Sequence, residues 1–113
     1  MSEKEKFNKI IARFKETAER ILPPGSRVVM FGSRARGDAR VDSDWDLHIL
    51  VPGNEKLSVD KTSEICWEFN RIGIYEFDEV IESFAYSKSD WLRRNFMPFY
   101  KNVERDKIIL FEN

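Results

Sequence analysis

Between Phe31 and Leu47 the chain reads FGSRARGDARVDSDWDL: a Gly-Ser pair, a run dense in arginine, then two aspartates one residue apart at the head of an apolar stretch. Metal-dependent transfer of a nucleotide's phosphate calls for these residue types. Asp44 and Asp46 alternate with Trp45 and Leu47, so on an extended backbone both carboxylates project to one face, roughly 6–7 Å apart. Hard cations such as Mg²⁺ prefer carboxylate oxygens and keep waters and substrate phosphates in their shell, so two or three acids on a rigid strand suffice. Two ions about 3.5–4 Å apart would activate an attacking hydroxyl and stabilise a departing pyrophosphate.

Gly32 and Ser33 supply the complementary half. Val28, Val29, Met30 and Phe31 form a short apolar run that Gly32 ends, and glycine there lets the backbone approach a phosphate closely. A helix opening at Ser33 would aim its free N–H groups and the serine hydroxyl at an anion. Arg34, Arg36 and Arg40 add positive charge suited to forked phosphate contacts. Taken alone, Asp42, Ser43 and Asp44 would pass for a loop cap, and the arginines for ion-pair partners of Asp38 and Asp42. Following the Gly-Ser pair at this spacing, they read as a site.

The string Phe31-Gly32-Ser33, ten intervening residues, then Asp44-Trp45-Asp46-Leu47 closely resembles the signature of the DNA polymerase beta-like nucleotidyltransferase superfamily. The inner words Gly32-Ser33-Arg34-Ala35-Arg36-Gly37 and Ser43-Asp44-Trp45-Asp46-Leu47 resemble its small stand-alone branch, the minimal nucleotidyltransferases. The resemblance is sharp over Val28 to Val51 and diffuse elsewhere. It implies an α/β (α+β) nucleotidyltransferase core in which Gly32, Ser33, Arg34 and Arg36 bind an NTP such as ATP. Asp44 and Asp46 would hold two Mg²⁺ ions.

A third carboxylate is expected on the neighbouring strand, and here the match is not clean. Asp78, Glu79 and Glu82 are the candidates, while counting back from Tyr86-Ser87-Lys88 and Trp91 puts Val80 at the expected place. Asp78 and Glu82 share Val80's face, and Glu79 points oppositely. Glu82 is favoured, as metal ligand and as an aid to deprotonating the acceptor.

The resemblance further implies a hydroxyl acceptor for an NMP, AMP foremost. Minimal nucleotidyltransferases resemble the antitoxin half of a toxin-antitoxin pair whose other member is a small helical HEPN protein, and some attach AMP to that toxin. Nothing in the chain resembles an acceptor-recognition domain, so specificity would come from such a partner or from a homo-oligomer. The rival reading is a catalytically weakened module that keeps nucleotide or partner binding and acts by covering the partner.

Bulk properties narrow the field. The 113 residues fit one domain, 1–113. Nineteen basic and 20 acidic residues nearly cancel, which argues against a broad nucleic-acid surface. No apolar stretch approaches the ~20 residues that cross a bilayer, and the Lys/Glu-rich start lacks the apolar core of a signal peptide, which points to a cytoplasmic protein. Cys66 is the only cysteine and reads as a small core residue. The single histidine, His48, continues the Asp44/Asp46 face and reads as filler beneath the site. Phe96, Met97, Phe99 and Tyr100 lie beside Arg93, Arg94 and Lys101; packing of the tail or a partner surface suits them better than base stacking.

Phe7, Ile10, Ile11, Phe14, Ala18, Ile21 and Leu22 recur at helical spacing, stopped by Pro23, Pro24 and Gly25. Strands follow at Arg27 to Phe31 and through the aspartates to Val51. A second long helix is expected over Ser58 to Arg71, ended by Gly73, then a strand over Ile74 to Tyr86. A helical turn at Lys88 to Asn95 and a mostly helical tail complete the pattern. Together these give a small mixed sheet with helices packed on one face.

Overall fold

A computed structural model describes residues 1–113. The elements run α1 (Glu3–Ile21), β1 (Arg27–Phe31), α2 (Ser33–Arg36), β2 (Trp45–Val51), α3 (Val59–Ile72), a π-helical turn (Gly73–Phe77), β3 (Ile81–Ser87), α4 (Lys88–Arg93), α5 (Pro98–Asp106) and β4 (Ile108–Glu112). The four strands form one mixed sheet in the order β3-β2-β1-β4. β1 is antiparallel to both β2 and β4, whereas β2 and β3 run parallel. The parallel pair needs a long crossover, and α3 supplies it.

Local sequence explains the long helices. Ser2 caps α1 by accepting from the Glu5 N–H at 3.1 Å, Glu3 and Glu5 sit in the positive first turn, and Arg20 sits in the last. Pro23 and Pro24 then prevent continuation. The buried stripe Ile10, Phe14 and Ala18 packs on Val28, Met30, Trp45, Leu47, Ile49 and Val51, joined by Ile65, Phe69 and Ile72 of α3. Phe14 is fully buried against Trp45 and Phe69; truncating it to alanine would cost about 3–5 kcal/mol.

The opposite sheet face is not bare. Val29, Phe31 and Leu50 form a second, smaller core with Trp91 of α4 and Val103 of α5, flanked by Phe84, Tyr86, Phe99 and Tyr100. Tail aromatics thus cover the sheet beyond the acidic end. A charged bolt fixes them: Glu104 accepts from the Trp91 indole and from Arg27, each at 2.9 Å, and from Lys107 at 2.7 Å. Burial alone would raise the Glu104 carboxyl, but these hydrogen bonds outweigh it and hold its pKa at about 2.

Two stretches differ from the sequence-based expectation. Gly73 does not end the second helix, because the chain continues as the π turn to Phe77 before Asp78, at φ 54°, reverses it. The strand is therefore shorter, Ile81–Ser87, and Ile74 and Tyr75 are exposed. Glycine is needed at 73 for another reason: a Cβ would strike the returning Glu79 carbonyl. The second difference is β4, an edge strand where only a helical tail was expected. It zips onto β1 with a bulge between Val28 and Val29, and Asn113 latches it through the Ser26 N–H at 2.9 Å.

Candidate active site

The acids lie where β1, β2 and β3 come together. Asp46 is paired with Phe31 on β1 and with Glu82 on β3. Directly paired residues share a face, so Glu82 stands beside Asp46 at the inter-strand spacing of about 4.8 Å. Asp44 precedes β2 by one residue and is exposed, whereas Asp46 is half-buried. Of the other two acids considered, Asp78 caps the π turn, and Glu79 faces the helical side in an ion pair with Lys6 at 2.7 Å.

Gly32 closes the site from β1. It adopts φ 76°, in the region that L side chains avoid, and a Cβ there would collide with the Asp46 carboxylate. The glycine backbone and the acid are therefore in direct contact. Beyond Gly32, the single helical turn α2 begins at Ser33, and the N–H groups of Ala35 and Arg36 close back on the Gly32 carbonyl. Gly37, at φ 85°, ends the turn.

Burial, then the negative charges of Glu82 and Asp44, raise the Asp46 pKa to about 6; Arg36 acts in the opposite sense. Half-buried Asp46 feels the charges of two exposed neighbours, Glu82 and Asp44, and carboxylate oxygens are the donors a hard divalent cation takes. The donor type fits a hard divalent cation, and the three acids do not converge into a preformed ion site.

The arginines divide their work. Arg36 extends from α2 to Asp106 of α5 at 2.9 Å and to Asp38 at 3.3 Å. Arg34 is engaged on the helical side of the sheet: its guanidinium lies 4.5 Å from the Trp45 ring centroid and donates to the Ser43 carbonyl at 2.8 Å. That bond ties down the loop that presents Asp44. Ser43 itself closes a turn by accepting from the Arg40 N–H at 2.8 Å.

His48, two residues beyond Asp46, is fully buried with neither ring nitrogen hydrogen-bonded, 3.9 Å from the Trp91 ring and stacked on Tyr86. Burial, reinforced by the nearby Arg27, depresses its pKa to about 3 despite Glu104. It is a neutral wedge under the site. Cys66 is half-buried, its thiol donating to the Ser83 carbonyl at 3.4 Å, and burial raises its pKa, which disfavours thiolate chemistry. Phe99 and Tyr100 belong to the second core, while Phe96 stays exposed.

The two best-formed clefts, about 380 and 260 Å³, lie elsewhere, along the β3 edge and beneath Arg34. Asp44, Asp46 and Gly32 line neither of these two clefts. The residue missed by sequence reasoning is Asp106: it sits 70 positions from Arg36, outside any local pattern.

No helix is long and apolar enough to cross a membrane. No curated protein matches the chain. Among solved structures, a putative nucleotidyltransferase from Sulfolobus solfataricus is 20% identical, with a TM-score of 0.65 over 96% of this chain and 86% of that one. A toxin-antitoxin structure with AMP-PNP is 16% identical, with a TM-score of 0.64 over 91% of this chain and 73% of that one. A mutant of the MntA-HpeT toxin-antitoxin is 17% identical, with a TM-score of 0.59 over 94% and 72%. At these identities the likeness is one of fold. Family membership rests on sequence: residues 11–111 match the model described as the nucleotidyltransferase domain, spanning both the Gly-Ser turn and the acids, and the chain belongs to that family.

Proposed function

We propose that this protein is a Mg²⁺-dependent nucleotidyltransferase that moves an NMP, AMP foremost, from an NTP to a hydroxyl and releases pyrophosphate. The contact of Gly32 with Asp46, itself beside Glu82, carries the reading, because it joins a backbone suited to phosphate with a cation-seeking acid cluster. Asp44, Asp46 and Glu82 would hold Mg²⁺, two ions being the number this chemistry favours, and the metal would supply charge neutralisation at the phosphates. Gly32 and Ser33 bind the triphosphate, and Arg36 rather than Arg34 is the cation near it. Glu82, exposed at the edge strand β3, accepts the acceptor's proton. Orientation and electrostatics carry most of the rate enhancement.

The acceptor in this reading is a hydroxyl of a partner protein, a small helical protein of the HEPN type. The toxin-antitoxin relatives support a protein partner, and so does an exposed stripe on α3 and the π turn: Trp67 and Tyr75 stack edge-on at 6.2 Å beside Ile74. That stripe equally favours a second reading, a module that binds its partner without transferring anything. Calorimetry with ATP and Mg²⁺, followed by labelled-nucleotide transfer to candidate partners, separates the two. Binding with transfer supports the enzyme; binding to the partner without transfer supports the module; neither removes both.

A further inference from the structure

We propose that Asp106, at the last turn of α5, is a positioning residue that aims the Arg36 guanidinium at the phosphates of the bound nucleotide. This rests on the nucleotidyltransferase reading above and assigns a role to an element that neither the Gly-Ser turn nor the acids include.

The argument begins with where Asp106 stands. A carboxylate in the last helical turn meets the negative end of the helix dipole, which is locally unfavourable. It is nonetheless covered: only 4% of its side-chain surface is accessible, and two arginines pair with it. The Arg105 Nε donates to Oδ1 at 2.8 Å and its Nη2 more distantly to Oδ2 at 3.4 Å, while Arg36 Nη1 donates to Oδ2 at 2.9 Å.

Arg36 has the complementary situation. Its side chain is 43% exposed, it projects from a helix of only four residues, and its Nε is turned to the exposed Asp38 at 3.3 Å. A long, solvated arginine on so short a support would sample many rotamers, at an entropy cost on each binding event. Tying one nitrogen to a covered carboxylate on a different element removes most of that freedom. The guanidinium fork has five N–H donors, so a bond to Asp106 leaves others for a phosphate. Arg36 belongs to α2, the turn that starts directly after Gly32, whose backbone abuts the Asp46 carboxylate, so the tether ties down a cation on that same turn. α5, otherwise a lid on the second core, becomes part of the nucleotide site.

The test uses the full chain and Mg-ATP as the probe. Asp106→Asn should weaken binding by calorimetry about three- to tenfold and raise KM more than it lowers kcat, with Asp106→Glu recovering most of the loss. Arg105→Ala leaves the Arg36 bond in place and should bind like the wild type. Asp106→Asn should add nothing further in an Arg36→Ala background. Arg36→Lys keeps the charge without the fork at an exposed position and should also bind more weakly, a result that does not depend on the folding of any Asp106 variant. Unchanged or tighter ATP binding by a folded Asp106→Asn, equal affinity of Arg36→Lys and wild type, or a full Asp106→Asn loss without Arg36 would overturn the assignment while leaving the function standing. Wild-type protein that binds no Mg-ATP would remove both.

Discussion

Glu82 is the direct neighbour of Asp46 across the parallel pairing of β2 and β3, and its charge adds to burial in raising the Asp46 pKa to about 6. Glu82→Gln should therefore shift the Asp46 titration toward the ordinary carboxylate range, read by carboxyl-carbon NMR. The same variant should slow transfer by about two orders of magnitude if Glu82 serves as base. An unmoved Asp46 titration would separate the two carboxyls.

Asp46→Asn and Asp44→Asn should each reduce metal-dependent transfer about 10³-fold, as should chelation of Mg²⁺ by EDTA. A second signature needs no substrate. Mg²⁺ at neutral pH should raise the thermal midpoint of the wild type by relieving repulsion among the acids, and Asp46→Asn should lose that response. Equal stabilisation of both proteins would place the ion elsewhere.

Gly32→Ala should destabilise the protein by about 1–3 kcal/mol, because alanine at φ 76° is strained and its Cβ meets the Asp46 carboxylate. Urea unfolding measures this. Nucleotide binding should fall at the same time, since the only relief is to push the acid or the turn aside. A variant of native stability and affinity would show that the contact is loose.

Two residues on one face of β2 give opposite pH slopes. Asp46, raised to about 6 in the fold, contributes stability below its unfolded pKa that is lost as pH rises through about 6. His48, depressed to about 3, contributes stability above its unfolded pKa that is lost as pH falls toward about 3. The fully buried histidine wins over the partly solvated aspartate: about 2–4 kcal/mol at pH 4 against about 1 after solvent screening. Denaturant unfolding should accordingly show the metal-free protein gaining stability from pH 4 to 6.5, and His48→Phe should abolish or invert that slope. A wild-type slope retained in His48→Phe would exonerate the histidine.

The sequence was legible where contacts are local. The caps and proline stop of α1, the alternation of β2 and the spacing from Gly32 to Asp46 each carry their own signal within about a dozen residues. It was illegible where distant partners decide. Ile74 to Phe77 looked like the start of a strand because periodicity cannot show that Gly73 must accommodate the carbonyl of Glu79. Ile108 to Glu112 reads as an apolar run whose strand identity comes entirely from β1. Arg34 was assigned with its neighbour Arg36, yet on a helical turn the two point apart, one to Trp45 and one to Asp106. Face parity on β3 put Glu82 on the side of Val80, but its pairing with Asp46 comes only from the parallel register.

The parallel crossover through α3 should also order the assembly of these acids in time. The β1–β2 connection, residues 32–44, is shorter than the crossover through α3, so Gly32, Asp44 and Asp46 should come together first, with Glu82 arriving only after thirty-odd further residues have wound and docked. A nascent chain held at the hairpin would own two of its three acids and none of its aromatic lid. Cation capture would then report completion of folding, with pulse-labelled hydrogen exchange showing the hairpin protected first and the Glu82 strand last.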